Sequence, residues 1–222
     1  MAKQTTWTGS SSSVWTTSAN WTNGLPETDS TAIIDGSVSI TGGTPSINGE
    51  MERLYVANSY TGAIGSTGTP LKVDVAQLSV DNNSSGSVHY IDLTGANNLT
   101  PTVMVDGQKT GTALYLSGDL NLVIVESTFT GTMYLGNSAS DPAEIKDLIM
   151  LANTGTVNAN TPANVAWVSS STIDMQSGVL LLSENIGTDS TMIASGGTVT
   201  VSDWTHLRFT VQMFIGMLVQ LA

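Results

Sequence analysis

The chain has 222 residues, of which 40% are hydrophobic and only 11% charged, so it can bury a core but holds little of the Glu, Lys and Arg that build helices. Its formal net charge is -12, and its six cations (Lys3, Arg53, Lys72, Lys109, Lys146 and Arg208) are scattered, which leaves no basic patch for a nucleic-acid backbone. There is no cysteine, which excludes a disulfide framework and thiolate metal sites.

The remainder is mostly Thr, Ser, Asn and Gly, residues that suit pleated strands and tight turns. The N-terminus, Met1 to Trp7, lacks the apolar run of a signal peptide. The chain is therefore expected to be made in the cytoplasm, or to be a piece of a larger secreted protein. Residues 7–43 form a distinct opening unit with three of the five tryptophans, Trp7, Trp15 and Trp21. Asn23-Gly24 and Pro26 mark turns, and residues 31–35 and 37–41 read as two strands hinged at Asp35-Gly36, a hairpin dipeptide. The indoles are expected to cap the open end of a stack, with packing favoured over stacking on sugar rings.

Beyond residue 50 a short motif recurs: apolar, any, apolar, any, then a turn former. It reads LYVAN at 54–58, LSVDN at 78–82, VMVDG at 103–107, LYLSG at 114–118, MYLGN at 133–137 and VTVSD at 199–203. The first three begin 24 and 25 residues apart, whereas the starts at 114, 133 and 199 break that step. Such a pattern predicts an all-β fold: a parallel β-helix, or β-solenoid, with irregular rungs and a Trp-rich N-terminal cap. A β-sandwich or jelly roll is the alternative. The expected division is a capping unit over 1–50, solenoid repeats over 51–203 and an apolar strand or subunit contact over 204–222.

Residues 141–153, DPAEIKDLIMLAN, carry helix-start signals at Asp141 and Pro142, but are expected to form a strand after a short turn. Residues 158–164 read as a loop, and Trp167 as a buried or contact residue. The run from Leu207 to Ala222 is apolar but interrupted by Arg208 and Gln212, and is short for a membrane span of ~20 residues. A membrane-active tail and a non-native end are the alternatives there.

The opening unit resembles a module at the N-terminal end of β-helical repeat proteins, with the pattern Trp-x-Gly, then Asn-Trp-x-x-Gly-x-Pro, then Asp and a short apolar strand. The matching residues are Trp7, Gly9, Asn20, Trp21, Gly24, Pro26, Asp29 and Ile33-Ile34. The module is similar to that of phage virion surface proteins, both capsid cement or decoration proteins and tail spikes, and to that of autotransporter adhesins. The start of the chain almost on the motif, its length and the lack of a following barrel favour the phage group. The resemblance implies a non-enzymatic protein at the capsid surface of the virion. Its implied partners are the major capsid protein and further copies of itself in a homotrimer, with no nucleic acid and no membrane. The runner-up is a tail spike or adhesin that binds or cleaves host polysaccharide.

Little in the chain points to chemistry. His89 and His206 are the only histidines, and both are expected at the surface. Asp74, Asp81, Asp92, Asp106, Asp174 and Asp203 sit in or beside strands and read as turn or outward-facing residues, although adjacent rungs could pair two of them as a glycosidase requires. There is no nucleophile elbow, Walker loop or dinucleotide fingerprint. No catalytic residue, cofactor or metal is expected. The interaction residues expected are Trp7, Trp15, Trp21, Phe209 and Phe214.

Overall fold

The structure is a computed structural model that describes residues 3–43, 50–81, 87–94, 101–107, 113–137, 142–159, 165–182 and 190–201, and the backbone alone of 210–213 and 218–221. It is a parallel β-solenoid. In chain order the strands are β1 (Gln4–Trp7), β2 (Thr31–Ile34), β3 (Met51–Val56), β4 (Leu71–Lys72), β5 (Val75–Asp81), β6 (Val88–Asp92), β7 (Thr102–Asp106), β8 (Ala113–Val125) and β9 (Thr132–Leu135). They continue with β10 (Ala143–Met150), β11 (Thr156–Ala159), β12 (Val165–Met175), β13 (Val179–Leu182), β14 (Thr191–Ala194), β15 (Thr198–Val201), β16 (Thr210–Met213) and β17 (Leu218–Leu221). The described residues contain one 3-10 turn, Ser18–Asn20, and no α-helix, hence no helix long and apolar enough to cross a membrane.

Two parallel ladders run side by side, which explains the broken repeat. The first stacks β1, β2, β3, β5, β7, the second half of β8, β10, β12, β14 and β16. Leu54, Leu78 and Val103 are partners on it. The second stacks β4, β6, the first half of β8, β9, β11, β13, β15 and β17. Leu114, Met133 and Val199 belong to that second ladder, so they never shared the step of the first. β8 serves both ladders because it bends at Gly118 (φ 92°), where a Cβ would lie 2.4 Å from the Thr94 nitrogen. Only glycine fits that corner.

Inward positions form continuous apolar columns. On the first ladder one column runs Trp7, Ile34, Val56, Val80, Val105, Val125, Met150, Met175 and Ala194, all buried. No rung covers its own inward face. Each relies on its neighbours, which is why the fold needs closed ends.

Several expectations change. Residues 31–41 are not a hairpin: β2 pairs in parallel with β1 and β3, while Ile40 bridges Ile64 in parallel on the next face. Asp35-Gly36 turns a corner between faces, so its positive φ (88° at Gly36) serves the coil rather than a chain reversal. Residues 143–150 form the expected strand. Asn158 is not loop but the third residue of β11; residues 160–164 lie outside the described residues. The C-terminal run holds two strands, one continuing each ladder. Trp167 is half-buried against the core, just before a bulge in β12.

Candidate functional site

The tryptophan unit is a closed end. Trp7 is the first member of the inward column, and Trp21 packs edge-on to it with ring centroids 5.3 Å apart. Trp15 packs edge-on to Trp21 at 4.6 Å. All three are buried. The Trp7 indole N–H donates to Val38 O at 3.0 Å and that of Trp21 to Trp15 O at 2.8 Å. Residues 20–24 run antiparallel along the outer edge of β1, using backbone groups that a further rung would have taken.

Three further motif residues have physical tasks. Gly9 (φ 59°) lies where a Cβ would meet Val38 at 2.4 Å. The buried Asn20 carboxamide accepts from the Ser11 and Ser12 nitrogens at 2.8 and 3.0 Å and donates to Val14 O at 2.9 Å, which shapes the loop carrying Trp15. Asp29 adopts φ 58°, a left-handed conformation that aspartate tolerates. The indoles expected as interaction residues are packed inside the chain, at 1, 3 and 4% exposure for Trp7, Trp15 and Trp21. Phe209, Phe214, His206 and Asp203 lie outside the described residues.

Two surface features were not read from the sequence. One is the outward side of the second ladder. One column there is Val88, Ala113, Thr132, Thr156, Val179 and Thr198; the other is Tyr90, Tyr115, Tyr134, Asn158, Leu181 and Thr200. All are half-buried and none is charged. At ~4.8 Å per rung this face extends about 24 Å along the axis. Its three tyrosines stack, Tyr90 on Tyr115 at 4.4 Å and Tyr115 on Tyr134 at 4.5 Å, with ring planes within 12°. Burial between its two neighbours, and then their proximity, raises the Tyr115 phenol above its usual range. The signal was the Tyr at the second position of LYLSG and MYLGN, but only the ladder assignment shows that these residues are neighbours.

The other feature is a cleft of about 320 Å³ on the first ladder, lined by Arg53, Tyr55, Ser79, Val80, Asp81, Met104, Asp106 and Glu126. Tyr55, Ser79 and Met104 are register partners on successive rungs, so the small Ser79 leaves a notch between two large side chains. Asp81 and Asp106 are partners at the corner beside it. The Tyr55 hydroxyl donates to Asp81 Oδ2 at 3.3 Å, and Arg53 Nη2 donates to Ser79 Oγ at 3.0 Å. The Arg53 guanidinium lies 5.3 Å from the Tyr55 ring centroid. Burial, and then the charge of Asp106, raise the Asp81 carboxyl above the usual carboxylate range.

His89 and Asp92 also differ from expectation. His89 points inward, buried in a column between Ile64 and Leu114, with its ring 5.7 Å from that of Tyr60. Burial lowers its pKa to about 4. Asp92 is buried at a corner, where Lys72 of the preceding rung reaches its Oδ2 at 2.9 Å and Thr94 donates to its Oδ1 through N–H and hydroxyl at 2.9 and 2.6 Å. Among the described residues no three His, Cys, Asp or Glu converge as metal ligands. No protein-family model matches the chain, and neither a curated protein nor a solved structure matches it significantly.

Proposed function

We propose that this chain is a non-enzymatic structural protein of a phage particle, a cement or decoration protein that docks on the capsid surface and bridges neighbouring capsid subunits. The observation that carries the reading is a pair of uncharged outward columns on the second ladder, bordered at one corner by the Lys72–Asp92 ion pair. The chain has a net charge of -12, yet this face carries no charge in either column. Burying it against a shell desolvates no carboxylate, whereas any approach over the Asp81, Asp106 and Glu126 corner must strip charges of water. Its tyrosines are large, rigid and already ordered by stacking, so immobilising them costs little further entropy. The phage setting itself rests on the resemblance of the opening unit. In this reading the partners are the major capsid protein and two further copies of the chain, and the work is mechanical: added buried area resists outward pressure.

Co-sedimentation with shells of the phage that encodes the chain tests this. The wild type should pellet with the shells. Thr132→Glu, which sets a carboxylate in the middle of the face, should weaken binding by roughly a hundredfold, about 2.7 kcal/mol. Gln176→Glu, at an exposed position off this face, should bind as the wild type does. Equal binding by all three rejects the docking face. A second reading, a glycan-binding spike or adhesin, is favoured by the cleft at Tyr55.

A further inference from the structure

Tyr90, Tyr115 and Tyr134 hold the same outward position on three successive rungs, because β6 pairs with β8 and β8 with β9 in register. Their ring centroids lie 4.4 and 4.5 Å apart, with planes 12° and 7° from parallel. The backbone sets this separation, since neighbouring strands repeat at ~4.8 Å. All three are half-buried, so solvent reaches each of them. The other two tyrosines are placed differently. Tyr55 stands between Ile33 and Ser79 in its column on the first ladder, and Tyr60 is fully buried.

Phenols held this close are placed for oxidative coupling. A one-electron oxidant takes an electron and the hydroxyl proton from a tyrosine and leaves a phenoxyl radical. The unpaired electron is shared with the two ring carbons ortho to the oxygen. Two such radicals on neighbouring rungs join through one ortho carbon each, forming a Cε–Cε bond. The hydrogen on each of these carbons then moves to the phenolic oxygen and restores the hydroxyl. In sum, two Cε–H bonds break, one C–C bond forms, and two electrons and two protons leave. Hydrogen peroxide accepts them and becomes two molecules of water, with a haem peroxidase carrying the electrons one at a time. Stacked rings must turn before they bond edge to edge. The Cβ–Cγ torsion of tyrosine is soft, and turning both rings about it brings an ortho carbon of each into the gap between rungs. The backbone already holds the two rings side by side, so their reaction outpaces collision between chains.

We infer that Tyr90, Tyr115 and Tyr134 form an oxidative cross-linking site, at which hydrogen peroxide and a peroxidase join Tyr115 to Tyr90 or to Tyr134 as dityrosine. The bond ties β8 to β6 or to β9 and closes a loop between rungs, a constraint that this chain, with no cysteine, cannot obtain from a disulfide. The site shares its face with the proposed shell contact but does not rest on it, because the reaction belongs to the free chain.

The test treats the full chain, in dilute solution, with hydrogen peroxide and a haem peroxidase. Dityrosine fluorescence, intact mass and cross-linked peptides are then read. A single-chain product lighter by two hydrogen atoms should appear, with Tyr115 joined to Tyr90 or Tyr134. Tyr115→Phe keeps a ring in the stack but leaves Tyr90 and Tyr134 two rungs apart, about 10 Å, and should lower the yield of this product about tenfold or more. Tyr90→Phe should still give the bond between Tyr115 and Tyr134, and Tyr55→Phe should react as the wild type does. Three results overturn the inference: no dityrosine forms, it forms only between chains, or Tyr115→Phe gives the single-chain product in full yield.

Discussion

His89 makes the stability of this solenoid depend on pH in a defined direction. Its ring sits in a column whose neighbouring rungs contribute Ile64 and Leu114, and burial lowers its pKa from 6.5 to about 4. A histidine with a depressed folded pKa takes up its proton more readily when unfolded. Its contribution is therefore complete above pH 6.5 and is lost as pH falls through that value towards 4. At about 1.4 kcal/mol for each pH unit of difference, the loss by pH 4 is about 3 kcal/mol. Other groups titrate nearby: the Asp81 and Glu50 carboxyls are both raised by burial, which has the opposite sign, favouring the folded state as they protonate. The assay is therefore a difference. Urea unfolding is followed by circular dichroism from pH 7.5 to 4 for the wild type and for His89→Leu, which keeps an apolar residue in the column. The wild type should lose about 3 kcal/mol more than the variant between pH 6.5 and 4. Parallel stability curves for the two proteins would refute the account of a neutral, inward histidine.

Three further outcomes are expected. Trp21→Ala removes the ring that both other indoles pack against, and should cost about 3–5 kcal/mol in urea unfolding, with the earliest loss of amide protection in β1 and β2. Lys72→Met leaves the buried Asp92 with only its Thr94 bonds. Because Lys72 is itself 39% exposed, the loss should be modest, about 1–2 kcal/mol by chemical denaturation. Light scattering coupled to gel filtration should return three times the 23.1 kDa chain mass for the proposed homotrimer, and a monomer mass would reject it.

Much of the fold was legible because strands write their own period. LYVAN, VMVDG and MYLGN each open with strand residues that alternate buried and half-buried, before the turn formers that end the strand. Two things were hidden. The ladder to which a strand belongs depends on corner length, and corners here vary, so Leu54 and Leu114 look like members of one repeat when they face different walls. Phase was the other. In Val88-His89-Tyr90-Ile91-Asp92-Leu93 either alternate set can be read as inward, and a slip of one residue turns every side chain over. Burial of Ile91 and Leu93 carries His89 inside with them. The cleft was illegible for the same reason as the ladders: Arg53, Ser79, Asp106 and Glu126 come from four rungs and meet only through register. The cap was the reverse case. Its motif was visible, and the structure supplies the reason for Trp7, Gly9, Asn20, Trp21 and Asp29 in it, with the tryptophans packed as core.

Cryo-electron microscopy of the purified phage particle tests the central claim most directly. The account predicts a solenoid on the capsid surface with Tyr90, Tyr115 and Tyr134 turned towards the shell and the Asp81, Asp106 and Glu126 corner turned to solvent. A particle whose surface lacks this protein, or one that holds it by the acidic corner with the tyrosines facing outward, would contradict it.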